Sequence, residues 1–103
     1  MILDLHNHTR WSFDSAMDPA KVVRLARQRG LDAIAITDHN EIEGALEARK
    51  AAGGDILVIV GEEIDTTAGD VIGLFLKERI VVYDALEAIR AIHDQGGLAV
   101  LPH

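Results

Sequence analysis

Five short apolar runs, rich in branched residues and bounded by glycine or polar breaks, alternate along this chain with segments that carry helix signals. The runs are Ile2 to Leu5, Ala33 to Ile36, Ile56 to Val60, Val71 to Leu76 and Leu98 to Leu101. Runs of this length and composition read as buried strands. Asp18 followed by Pro19 predicts a helix start, with Val22, Leu25 and Ala26 on one face and Gly30 as the stop. Asn40 and Glu43 have capping-box spacing for a second helix, which turns Ile42, Ala45 and Leu46 inward and ends at Gly53 or Gly54. Asp84 and Glu87 repeat the pattern ahead of a third helix, carrying Leu86, Ile89 and Ile92 and closing at Gly96 or Gly97. An antiparallel excursion is expected around Gly69. The alternation predicts an α/β fold of βαβ units with a parallel sheet.

With 103 residues, the sequence accounts for one domain and is short for a closed α/β barrel. Apolar residues make up 49% of it but never run unbroken for the roughly 20 residues of a membrane span, and no basic, cleavable leader opens it. The expectation is a soluble, cytoplasmic protein with no membrane partner. Cysteine is absent, so thiolate sites are excluded and a metal ion must be held by histidine and carboxylate. Asp and Glu total 17 against 10 Lys and Arg, a net charge of -7, which argues against nucleic acid as a main partner.

The histidines fall at strand ends. His6 and His8 follow the first run, His39 the second and His103 the last, while Glu63 comes just after the third. The carboxyl ends of strands are where α/β sheets and barrels build their sites. Residues two apart in extended chain point to one side, so His6 and His8 can grip one ion. Asp4, two positions earlier, and Asp38, beside His39, are candidates to fix a metal-binding tautomer by accepting a ring proton, or serve as loop and cap hydrogen-bonding groups. His93 is set apart, in the last turn of the third helix, where an imidazolium favours the helix dipole. Trp11 and Phe13 flank the proposed site, as pocket walls or as core.

These residues carry a family resemblance. Asp4-Leu5-His6-Asn7-His8-Thr9 resembles the first motif of the PHP (polymerase and histidinol phosphatase) domain family, and Thr37-Asp38-His39-Asn40 resembles the second. Gly61-Glu62-Glu63 resembles its Gly-x-Glu, which selects Glu63 rather than Glu62, and Leu101-Pro102-His103 resembles the start of the third. The resemblance implies that residues 1–103 form the N-terminal portion of a distorted (β/α)7 PHP barrel binding two or three divalent ions, zinc, manganese or iron. It assigns His6, His8 and Glu63 to one ion, Glu63 and His103 to a second, and His39 with Asp14 to a third. Asp14 also reads as a turn former.

Two departures stand out. Asp70 occupies a position where many members carry histidine, and reads equally as a substitute ligand or a hairpin-turn residue. The family's last Asp-x-His motif has no counterpart here. The implied activity is hydrolysis of a small phosphomonoester or phosphodiester by metal-activated water, with no catalytic residue beyond the metal ligands. Arg10 is either a phosphate contact or a surface residue. The competing readings are an amidohydrolase-type enzyme, since that superfamily also opens with His-x-His, and an inactive metal-binding fragment or module. A homo-oligomer through the apolar, uncovered strand Leu98 to Leu101 is a further expectation.

Overall fold

The computed structural model describes residues 3–7, by their backbone alone, and residues 17–101. Along them run β1 (Leu3–Asn7), α1 (Pro19–Gln28), β2 (Ala33–Ile36), α2 (Glu43–Ala52), β3 (Leu57–Thr66), β4 (Gly69–Leu74), α3 (Ala85–Asp94) and β5 (Leu98–Val100). Two helices start as expected. The Asp18 carboxylate accepts the Ala20 N–H at 2.9 Å with Pro19 in the first turn, and Asp84 accepts the Glu87 N–H at 3.0 Å. Gly30 and Gly96 follow α1 and α3 in the left-handed region, which costs a glycine no Cβ strain. Replacing Asp18 by alanine leaves an N-terminal donor of α1 without its cap, so a loss of about 1 kcal/mol is expected, measured as a lower urea midpoint at unchanged slope.

The second helix departs from expectation. Its N-cap position is Ile42, which makes no side-chain cap bond, and Asn40 is spent elsewhere. A further correction concerns α3, where Leu86 is 65% exposed and the buried anchors are Ala88 and Ile92. The small Ala88 suits the side of the helix that lies close to the sheet.

The sheet order is β1-β2-β3-β4-β5, with β1, β2 and β3 parallel. The antiparallel excursion is present as the β3–β4 hairpin, turning between Thr66 and Gly69. β5 joins β4 antiparallel and stands at the sheet edge with Leu98 54% exposed. β5 therefore points the same way as β1 to β3, with the downward β4 interposed.

A second correction concerns β3. It does not stop at Val60 but runs on to Thr66, so Glu63 lies within the strand. Residues 57–60 pair parallel with β2, and residues 61–66 pair antiparallel with β4. The change of partner occurs at Gly61, where a Cβ would stand 2.8 Å from the Gly73 carbonyl oxygen and 2.9 Å from the Thr37 methyl. Only glycine fits that approach.

Alternation along β3 divides its side chains between two layers. Val58, Val60 and Ile64 join Ile34, Ile36, Val23, Ala45 and Ile92 in the core beneath the helices, while Ile59 packs with Ala35, Ile72 and Leu74 on the other face. Each fully buried isoleucine contributes roughly 1.5–3 kcal/mol of transfer free energy. Among the described residues, no helix is long and apolar enough to cross a membrane.

Candidate metal centre

Beyond β2 the chain stays stitched to β3. The Asp38 carbonyl accepts the Glu63 N–H at 2.9 Å, and the Glu63 carbonyl accepts the Asn40 N–H at 3.0 Å, making an isolated parallel bridge between His39 and Glu63. Two backbone bonds thus set His39 beside Glu63, although 24 residues separate them in sequence. The His39 Nδ1 lies 3.5 Å from Glu63 Oε2 and 3.3 Å from Asp65 Oδ1. One ligand atom each from His39, Glu63 and Asp65 falls within 4.8 Å of the others. Thr37 and Asp38, immediately before His39, are fully buried, which gives it a rigid base.

Asp70 completes the acidic side of the cluster. It pairs directly with Asp65 across the hairpin, and its carboxyl is raised from the ordinary 3.8 to about 6 by burial first, then by hydrogen bonding to Glu63 and to Asp65. Carboxylates this close repel one another, and either a proton or a cation relieves the repulsion. Asp70 therefore faces Glu63 and Asp65, more than a turn former needs to do.

Glu62 behaves oppositely. It is 0% exposed, and its Oε1 accepts the Ile80 N–H at 2.8 Å. Adjacent strand residues point to opposite faces, so Glu63 joins the polar cluster while Glu62 enters the layer beneath the helices. Burial lifts the Glu62 carboxyl from 4.5 to about 7, against smaller lowering effects of the Ile80 N–H and Arg79.

Of the candidate ligands, the structure brings together His39 and Glu63. His6 and Asp4 lie in β1, where Asp4 to Asn7 spans three residues against two of β2. His8, Asp14 and His103 lie outside the described residues, as do Arg10, Trp11 and Phe13. Asp38 contributes its backbone carbonyl to the Glu63 bridge. Asp65 was missed by sequence reasoning. The signal for it was its place two residues past Glu63, on the same strand face, hidden by ending the strand at Val60.

The donor set suits a divalent cation, since one imidazole nitrogen and carboxylate oxygens of two residues converge. Fold and cluster together define an α/β chain with a histidine–carboxylate cluster, a candidate metal centre, at its strand rim. The family model for the PHP domain matches residues 4–96, and the chain belongs to that family. It is 40% identical to an uncharacterised protein of Methanocaldococcus jannaschii, in an alignment covering 100% of this chain and 67% of that one.

Two of the similar solved structures are informative. One is a two-domain protein from Bacteroides vulgatus containing a predicted PHP-like metal-dependent phosphoesterase, with TM-score 0.83 and 28% identity over 94% of this chain. The other is an amidohydrolase from Chromobacterium violaceum with bound sulfate and no metal, with TM-score 0.67 and 29% identity over 91% of this chain. The chain spans 33% of the length of each of those two.

Proposed function

We propose that this chain is the metal-binding part of a PHP-family phosphoesterase that hydrolyses a small phosphomonoester or phosphodiester. The observation that carries the reading is the convergence of His39, Glu63 and Asp65 within ligand distance at the rim. In this reading His6, His8, Asp14 and His103 complete the ligand set, and Asp4 and Asp38 support the histidines from behind. The buried Glu63 carboxylate, set between the β2 end and the hairpin, would hold a cation there and, with more than one ion, would be the shared ligand. Divalent cations held there supply Lewis acidity toward the phosphoryl oxygens and toward an attacking water. Asp70 and Asp65 would supply negative charge that favours a bound cation. No side chain of the cluster is placed as a covalent nucleophile.

A second reading, hydrolysis of a cyclic amide, has the likeness to the amidohydrolase behind it. The two separate by assay. The protein, stripped with chelator and reloaded in turn with zinc, manganese or iron(II), is offered a panel of phosphomonoesters and phosphodiesters beside a panel of cyclic amides. Phosphoester turnover that vanishes with chelator and returns with metal is expected. Amide opening with no phosphoester turnover would overturn the proposal.

A further inference from the structure

Asn40 stands between the two halves of this centre, and every polar group it owns is committed. Its N–H donates to the Glu63 carbonyl at 3.0 Å, and its carbonyl accepts the Arg79 Nε–H at 2.6 Å. Its side-chain Oδ1 accepts the Asp65 N–H at 3.1 Å, and its Nδ2 donates to Asp65 Oδ2 at 2.9 Å. Its φ of 55° lies in the left-handed region, which asparagine enters more readily than most residues. A helix cap would need only one of these bonds.

The consequence for Asp65 is geometric. With Oδ2 held by the Asn40 amide, the carboxylate is oriented so that Oδ1 turns to His39 Nδ1 at 3.3 Å. Asp65 is itself half-buried and would otherwise have rotamers leading away from the cluster. Arg79, far along the chain, closes the arrangement from behind by holding the backbone carbonyl of the same asparagine.

We infer that Asn40, braced by Arg79, is a positioning residue that orients Asp65 as a ligand of the metal centre. The inference rests on the proposed metal-dependent function and adds to it a ligand and the support that aims it. Outer partners of this kind typically cost about 10–100-fold in metal affinity when removed.

The test is calorimetric titration of the metal-free protein with manganese and with zinc, alongside thermal unfolding of each variant. Asn40→Gly keeps the left-handed backbone and both main-chain bonds while deleting the two bonds to Asp65. It is expected to weaken metal binding about 10-fold or more. The effect should disappear in an Asp65→Ala background, because Asn40 acts through that carboxylate. Should Asn40→Gly fail to fold, Asn40→Asp, which keeps an acceptor for the Asp65 N–H but sets a charge against Oδ2, serves in its place with the same expectation. Unchanged affinity in the folded asparagine variant, with His39→Ala binding at least 10-fold more weakly, would overturn the positioning role and leave the metal centre standing. Losses that simply add in the double variant would overturn it too. Absence of metal binding by the unaltered protein would remove both readings.

Discussion

Glu63→Gln is expected to abolish turnover, with a loss beyond the roughly 10- to 100-fold that removal of an outer-shell partner costs. Glutamine keeps the shape and deletes the charge. It also sets an amide against His39, Asp65 and Asp70 at a position that is only 4% exposed. Two observables should fall together: metal stoichiometry by elemental analysis, and kcat on the best phosphoester. The metal-free variant should remain folded, because one of three crowded carboxylates has lost its repulsion. Normal turnover in Glu63→Gln would show that another residue bridges the ions.

The neighbouring substitution should act on stability and its pH dependence. Glu62 has a folded-state pKa raised from 4.5 to about 7, chiefly by burial, so the folded protein binds this proton more tightly than the unfolded chain does. The stability contributed by the protonated group is fully present below about pH 4.5 and is lost as pH rises through about 7. Above that, an ionised carboxylate sits buried with Oε2 lacking a hydrogen-bond partner among the described residues. Glu62→Gln removes the ionisation and keeps an acceptor for the Ile80 N–H. It should therefore stabilise the protein at pH 8 by at most about 3 kcal/mol, converting the pKa difference at 1.36 kcal/mol per unit. Urea unfolding at pH 5 and pH 8 in chelator tests this, with the difference from the unaltered protein cancelling the similar titration of Asp70. A variant as pH-dependent as the parent would show that Glu62 is not the group responsible.

Local chemistry made much of the fold legible. Asp18 and Asp84 cap their helices through their own side chains, and the branched runs at Ala33–Ile36 and around Ile72 are strands because nothing in them competes with burial. What escaped reading depends on distant partners. The apolar run ends at Val60, so the sequence alone places Glu62 and Glu63 beyond the strand. Here one enters the helix-side layer against Ile80, and the other enters the polar cluster. Asn40 carried a capping pattern, but four bonds to residues at least 23 positions away outweighed one bond to the next turn. In the site, His39 and Glu63 were visible as motif residues, whereas Asp65 became visible only once the strand was known to continue. The pairing of β5 with β4 had no local signature at all.

The change of partner at Gly61 has a mechanical consequence. It makes a seam, with His39 attached to the parallel layer on one side and Glu63, Asp65 and Asp70 carried by the hairpin on the other. An ion shared among them would act as a clasp across that seam, tying together segments that a loosened hairpin could otherwise separate. An ion that bound only the closed arrangement would draw the equilibrium toward closure, by about 2.7 kcal/mol when free metal exceeds its dissociation constant 100-fold.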